Sequence, residues 1–207
     1  DAIECARSVI EQLGVVKQAM MAELLTRGLP GRHTRFKQTE IGEVPAEWET
    51  CVLGDVIVDG PTNGLYKPMS EYGEGVSIAR IDAFDNGDVL DVTRLRRVRL
   101  SADEVTRFAL APNDILINRV NSLSHIAKAA IMPVSAPATV FESNMMKLSV
   151  DARRADPVFV FLVVSSPAAK QYFVTRAKQA VAQASINQQD VRGLPLALPP
   201  RVEQEQI

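Results

Sequence analysis

The sequence lacks most features that mark secreted or membrane proteins. Its two cysteines, Cys5 and Cys51, are far apart in 207 residues. They provide neither a metal-binding spacing nor a disulfide framework, which favours a reducing cytoplasm. The longest apolar run, residues 158–164, is far too short to span a bilayer, and no segment has the pattern of a signal peptide. Because residue 1 is Asp1 rather than Met, we expect a fragment or a trimmed chain.

An excess of charge of one sign is also lacking, because the formal net charge is -2. A strongly basic nucleic-acid binder is excluded, so any contact with DNA must depend on local basic patches. The 46% hydrophobic and 23% charged residues are ordinary for a globular protein. This length is enough for one ample core, or for one domain with an appendage.

Catalytic signatures are missing as well. The sequence has no Gly-rich loop that ends in Lys-Ser/Thr, and the segment 73–75 is too short for a dinucleotide fingerprint. No lysine follows an acidic residue by two positions, and no Asn/Asp-Pro-Pro-aromatic run is present to hold an extruded base. His33 and His125 are isolated, and the thiols have no activating signature nearby. We therefore expect no enzyme activity, no metal and no cofactor.

The first 27 residues predict one long helix. Its apolar residues recur at spacings of four and three, in a heptad seam of Ala2, Ala6, Val9, Leu13, Val16, Met20 and Leu24. Gly28 and Pro30 end the helix. One hypothesis is a helix that docks on its own domain. The other is a coiled-coil strut to a second helix, and the length of the seam favours the strut.

A connector follows over residues 28–47. Its first part is polar and basic, at Arg32, His33, Arg35 and Lys37. It is either a solvated linker or an arm that contacts a DNA backbone, since clustered Lys and Arg supply the sequence-independent phosphate contacts.

From Trp48 to about residue 150 the pattern changes to short strands and turns. An early helix or strand pair is predicted over 52–58, and Asn86-Gly87 predicts a tight turn. Together the apolar segments indicate an irregular, strongly curved sheet, with strands predicted over 76–81, 95–100, 115–117, 127–132 and 145–150. A stripe of four arginines is either a solvated face or a phosphate track: Arg94, Arg96, Arg97 and Arg99.

The last third of the chain predicts helices and a final strand. Asp156-Pro157 begins a helix to about residue 166, and Pro167 begins another to about residue 180. A loop over 179–185 precedes a short helical turn over 188–193, with Asn187 as its N-cap. A strand over 194–198 follows, and then Pro199-Pro200 opens a further helix.

Several ordered motifs resemble one family. They are the helix end at Leu24-Leu25 and Gly28, the segment from Ile41-Gly42 to Trp48 with Leu53-Gly54 after it, the segment 75–87, the turn at Pro112 to Leu116, and the run from Leu194 to Gln204. In the turn, Asn113 stands where the family usually has Gly, and Asn also tolerates left-handed geometry. The set is similar to the target-recognition domain of the specificity subunit of type I restriction-modification enzymes.

The resemblance implies an α+β fold in which a long N-terminal coiled-coil helix precedes a mixed α/β target-recognition domain with an irregular, curved sheet. It implies a spacer helix over 1–27, the connector, a recognition domain over 48–198, and the start of a second spacer helix over 199–207. The implied partners are double-stranded DNA, methyltransferase subunits, restriction subunits that can join, and a second copy or second recognition half paired through the spacer helices. No membrane partner is expected. The chain would then be half of a specificity subunit, without catalysis of its own.

Three polar loops are candidates for DNA contact, each of them otherwise a solvated turn. Their candidate residues are Asn63 and Lys67 in the first; Asn118, Arg119, Asn121 and Ser122 in the second; and Gln183, Ser185 and Asn187 in the third. Arg80 is a further candidate, with a buried ion pair to Asp82 or Asp114 as its alternative.

Two other functions stay open. One is the recognition domain of a fused type II restriction-modification enzyme, and the other is a coiled-coil interaction module that does not bind DNA. The absence of a positive patch formed jointly by the three loops would favour the second.

Overall fold

The computed structural model describes residues 1–181 and 183–207, apart from the side chain of Ala2. The helices of this part are α1 Ala2–Arg27, α2 Ala102–Phe108, α3 Pro157–Val164, α4 Pro167–Arg176, α5 Gln188–Arg192 and α6 Arg201–Gln204. The strands are β1 Phe36–Thr39, β2 Gly42–Pro45, β3 Glu49–Val52, β4 Ile57–Asn63, β5 Tyr72–Ala79, β6 Asp88–Val89, β7 Arg96–Val98, β8 Ile115–Asn118, β9 Val120–Asn121, β10 Ala129–Ile131, β11 Thr139–Phe141, β12 Met145–Val150, β13 Lys178–Gln179, β14 Ala184–Ser185 and β15 Pro195–Leu198. The expected α+β class is confirmed.

The strands form several small sheets rather than one curved sheet. The largest has the order β4-β12-β8-β10-β6, with a parallel pair at β10 and β6, and a second has the order β11-β5-β7. Register shifts interrupt β12 against β4 and β5 against β7. In β5 the interruption lies at Gly73 and Gly75, both with positive φ. Such bulges bend and end strand pairing, which divides the predicted sheet into pieces.

The central strand β8 is buried on both faces. Ile115 and Ile117 join the main hydrophobic cluster, while Leu116 between them joins a second cluster. The main cluster includes Phe159 and Val160 of α3, so α3 packs on one face of the largest sheet. A strand buried on both faces consists of a continuous apolar run, as this segment does.

Local signals place most helices where the sequence predicts them. Asp156 accepts hydrogen bonds from the first turn of α3, and Asn187 caps α5 as predicted. Helix α2, with Ser101 in a capping box, was not predicted. Helix α4 ends at Arg176 rather than near residue 180, because Lys178 and Gln179 form β13 against β14. The predicted loop over 179–185 thus contains parts of two short strands.

Among the described residues, helix α1 contacts the remainder of the protein only near its C-terminal end. Leu25 is buried and Met21 is partly buried against the main cluster. The seam residues Val9, Leu13, Val16 and Met20 are instead between 48% and 62% exposed. Ala6 is also exposed, Leu24 is half-buried, and the side chain of Ala2 lies outside the described residues. The hypothesis that this helix docks along its own domain is therefore wrong for most of its length.

No single helix in residues 1–181 and 183–207 is long and apolar enough to cross a membrane, although the bent pair α3 and α4 passes this test when taken together.

Candidate nucleic-acid interface

Strand pairing brings the second and third predicted loops together. In β14 and β9, Ala184 pairs with Asn121 and Ser185 pairs with Val120. The pairing continues where the Ile186 amide donates to the Arg119 carbonyl oxygen at 3.0 Å. These backbone bonds join segments far apart in the sequence and hold Arg119 next to the third loop.

The first loop reaches the same place through the turn between β11 and β12. The Arg119 amide donates to the Asn144 carbonyl oxygen at 2.8 Å, and the Arg119 guanidinium donates to the Ser143 carbonyl oxygen at 3.2 Å. The Ser143 amide donates in turn to the Leu65 carbonyl oxygen at 2.9 Å. All three loops are therefore linked around Arg119.

Residues from the three loops line one open cavity of about 390 Å³. Its lining consists of polar and basic side chains: Asn63, Arg119, Asn187, Gln188 and Gln189. These are the residue types that hydrogen-bond to base edges in a DNA groove.

A second cavity of about 540 Å³ lies beside the first, and Asn63 and Gln188 line both. Arg107 contributes to the second cavity; its side chain is exposed and makes no ion pair with any described residue. Lys147 also lines it, but its ammonium lies 3.0 Å from Asp59 and 3.5 Å from Asp114. Arg107 is therefore the more accessible positive charge in this cavity.

Arg119 is the central cation of the first cavity. Its side chain is half-buried, and among the described residues it has no carboxylate within ion-pair distance. A guanidinium carries five N–H donors, so the single bond to Ser143 leaves others for a ligand. This arrangement suits a planar acceptor pair such as O6 and N7 of guanine, or a phosphate.

Known proteins resemble this chain in sequence and in fold. No family model matches the chain. It is 32% identical, over 177 residues, to a type I restriction enzyme specificity subunit designated MjaX from Methanocaldococcus jannaschii, covering 85% of this chain and 41% of that protein. It is 25% identical to the StySPI specificity subunit of Salmonella potsdam, covering 99% of this chain and 44% of the relative.

This chain is a homologue of type I restriction enzyme specificity subunits. It spans less than half the length of these relatives. The fold agrees with the HsdS subunit from Thermoanaerobacter tengcongensis at a TM-score of 0.59 and 15% identity, covering 99% of this chain and 44% of that one. It also agrees, at a TM-score of 0.58 and 18% identity, with a chain from a study of complex assembly in the type I R-M system, covering 99% of this chain and 46% of that one.

Two predicted contact residues of this specificity-subunit homologue are not available for DNA contact, because one is buried and the other is held in ion pairs. Asn118 is completely buried at the end of β8, so its side chain does not reach the surface. Arg80 forms the ion pair that was the alternative to DNA contact, since its guanidinium lies 3.7 Å from Asp82 and 3.4 Å from Glu142. The guanidinium also donates a hydrogen bond to the Tyr72 hydroxyl at 3.0 Å. The other predicted partner, Asp114, pairs with Lys147 instead.

The remaining predicted residues differ in burial and in the contacts that their side chains already make within the protein. Lys67 is 2.8 Å from Glu104, which neutralises its charge. Asn121 accepts from the amide of Ser122, whose hydroxyl bonds to the His125 ring at 2.9 Å. Gln183 is exposed beside the undescribed Ala182, and Ser185 is half-buried in β14.

The glutamines after Asn187 were not predicted from the sequence as site residues. Asn187 accepts at its side-chain oxygen from the amides of Gln189 and Asp190, at 2.7 and 3.0 Å, so this oxygen is committed to capping α5. Gln188 and Gln189 are exposed on the first turn and line the cavity. The sequence contained a signal for these two residues, namely an N-cap asparagine followed directly by two glutamines.

Part of the basic connector makes contacts within the protein, while Arg32 and Arg35 are exposed. Residues 36–45 hold the β1–β2 hairpin, which was not predicted. Lys37 donates to the Trp48 carbonyl oxygen. The four arginines of the predicted stripe are all exposed on or beside β7, which is an edge strand. Among them, Arg99 lies 3.5 Å from Glu71.

A buried polar cluster joins the ends of the two helices that the resemblance treats as spacers. Glu203 of α6 is completely buried and accepts from the Trp48 indole at 3.3 Å. The His33 ring lies between Glu203 and Glu47, and Arg32 lies 3.8 Å from Glu203. A Cβ at Gly28 would lie 2.7 Å from the Glu203 carboxylate, so the end of α1 must be glycine here.

Residues 1–181 and 183–207 contain no group of His, Cys, Asp and Glu side chains arranged to hold a metal ion. Cys51 is half-buried, and burial raises its pKa to about 11, which keeps this thiol protonated and unreactive. The relatives are named specificity subunits, in agreement with the expectation that this chain is not an enzyme.

Proposed function

We propose that this chain recognises one half of a split DNA sequence, as half of a type I restriction-modification specificity subunit. The observation that best supports this proposal is that three loops, distant in sequence, meet at one cavity lined by Asn63, Arg119 and the first turn of α5. Arginine and amide side chains are the main readers of guanine and adenine edges in the major groove. In this proposal Arg107 and the exposed arginines of β7 supply phosphate contacts.

We further propose that α1 is a coiled-coil spacer helix, and that the chain works in the cytoplasm. The support is its exposed apolar seam, since a helix with unburied apolar residues at heptad spacing is stabilised by a partner helix. The partner is a second copy of this chain or a second recognition half. The assembled helices would hold methyltransferase subunits, and restriction subunits where present, at a defined position relative to the recognised DNA.

The test is to express the chain with its cognate methyltransferase subunits in a host without other methylation, and to map methylated bases across the genome. The expected result is methylation at one split sequence motif, which disappears when the chain is omitted. Methylation at unrelated sites, or an identical motif without this chain, would refute the proposal. A methyltransferase motif in the same reading frame would instead support the fused type II enzyme.

A DNA-independent coiled-coil module is the remaining alternative. The ion pairs of Lys67, Arg80 and Lys147 make the joint surface of the loops less basic than the sequence suggests. Arg119 and Arg107 nevertheless remain free of ion pairs in the described part of the chain. Under this alternative, the assembled complex binds no DNA duplex more tightly than a scrambled duplex. A binding titration measures both affinities directly.

A further inference from the structure

Gln188 occupies an unusual place in the candidate interface. It is the first residue of α5 and, like Asn63, lines both cavities, so it lies between Arg119 of the first cavity and Arg107 of the second. Its side chain is exposed, and it makes no side-chain hydrogen bond to any residue that the structure describes. A free carboxamide at this point can both donate and accept a hydrogen bond.

The backbone that carries Gln188 is firmly held. Asn187 and Asp190 form a capping box at the start of α5, and Val191 is completely buried in the main cluster. Arg192 donates to the carbonyl oxygen of Gly60 in β4, which ties the other end of the helix to the sheet. A side chain that contacts a base gains affinity and specificity when the backbone that supports it is already ordered.

Two of the neighbouring side chains, Asn187 and Arg119, differ from Gln188 in what they can recognise. The amide oxygen of Asn187 is occupied by the cap, and Arg119 can only donate hydrogen bonds. Adenine presents an N6 donor next to an N7 acceptor in the major groove, and a glutamine amide matches this pair. Guanine presents two acceptors, which match Arg119 better.

We propose that Gln188 is a specificity-determining residue that reads one adenine in the major groove, close to the base contacted by Arg119. The inference rests on the proposed DNA recognition. It makes Asn187 a positioning residue, which fixes the direction of Gln188 without touching a base.

The test uses the chain assembled with its methyltransferase subunits, and DNA duplexes that carry the motif found by methylation mapping. In each duplex one adenine is replaced by 7-deazaadenine, which lacks the N7 acceptor. We expect one replacement to weaken binding by the wild-type complex about tenfold, in line with the loss of part of a bidentate contact. Gln188→Ala should bind the unmodified duplex about tenfold more weakly and show no further loss at that position.

Gln171→Ala is the matched control, because Gln171 is an exposed glutamine of α4 that lines neither cavity. It should keep the wild-type response at every position. If Gln188→Ala keeps the full wild-type response, the assignment of Gln188 is overturned while DNA recognition stands. If the wild-type complex binds motif and scrambled duplexes equally, the proposed function fails and the role of Gln188 fails with it.

Discussion

The Nε2 atom of His33 lies 2.7 Å from the Glu203 carboxylate, although 170 residues separate them in the chain. Both side chains are almost completely buried, with exposures of 4% and 1%. The contact joins the segment that follows α1 to the start of α6. The directions of these two helices are therefore set partly by one histidine and one carboxylate.

Replacing Glu203 by glutamine should destabilise the protein. The change leaves a similar shape but removes a buried negative charge that faces His33 and Arg32. Breaking a buried ion pair on one side costs about 3–5 kcal/mol, so we expect a loss near the lower limit in urea unfolding. Glu205→Gln is the control: Glu205 is exposed, follows α6 directly and pairs with Arg201, and its loss should cost less than about 0.5 kcal/mol. Equal effects of both changes would contradict the structural role of Glu203.

Stability should depend on pH through His33. Burial, the largest single influence, lowers the pKa of His33, but hydrogen bonds to Glu203 and Glu47 together with their charges outweigh it, so the pKa lies above its ordinary value. The stabilisation is fully present below the unfolded-state pKa of about 6.5, and it is lost as the pH rises through the higher folded-state pKa.

Unfolding free energies measured from pH 6 upward check this expectation. Wild-type stability should fall across that window, and His33→Gln should flatten the fall. Ring-proton NMR provides a second measurement, because the resonance that disappears in His33→Gln should titrate above pH 6.5. A His33 resonance that titrates below 6.5 would contradict the prediction.

Arg119→Ala should relax the sequence preference at one guanine. The residue has free guanidinium donors in the shared cavity, and a bidentate contact discriminates by about 1–3 kcal/mol. Genome-wide methylation by the assembled complex should therefore show one degenerate position in its motif. Arg153→Ala is the control, since Arg153 is an exposed arginine paired with Asp151 and lies outside both cavities. An unchanged motif and occupancy with Arg119→Ala would remove Arg119 from the interface.

Arg107 and Lys67 should contribute unequally to phosphate binding. Arg107 has no ion-pair partner among the described residues, whereas Lys67 is paired with Glu104. Arg107→Ala should weaken binding to all sequences alike and reduce the slope of log affinity against log salt by about one. Lys67→Ala should change that slope less. Salt titrations of both variants distinguish them, and the reverse order would show that the Lys67 pair opens on binding.

Leu13→Asp should prevent self-association. Leu13 is 62% exposed at the middle of the seam of α1, so the change does not disturb the core of the recognition domain. An uncompensated charge in a buried helix pair is costly. Sedimentation at tens of micromolar should show an associated wild-type chain and a monomeric variant. A wild-type monomer, unaltered by the substitution, would reject pairing between copies.

The candidate interface was predictable in part. The three loops were proposed from their polar and basic residue types, and the second, which contains Arg119, also from its position directly after the Asp114 turn. The sequence did not show that Asn118 is buried whereas Arg119 is not. Strand β8 extends one residue beyond the predicted strand, to Asn118, and buries this side chain. Gln188 and Gln189 lie in a helical turn that was predicted correctly. The sequence does not show which side of such a turn faces a cavity, so these two residues were not selected.

The sequence by itself determined the features that depend on neighbours along the chain. Asn187 caps α5, Pro157 begins α3, and Asn113 adopts a positive φ of 65°, because local sterics and side-chain to backbone bonds are sufficient for each. The apolar seam of α1 also follows from spacing alone, although its partner does not.

Only the tertiary structure decided which polar groups are free. Glu142 pairs with Arg80, Glu104 pairs with Lys67, and Ile186 bonds to Arg119, each across a long stretch of chain. Charges and hydrogen-bonding groups act over a few ångströms, and these distances are set by packing rather than by separation in sequence. The same residue types therefore became internal contacts at some positions and an open cavity at others.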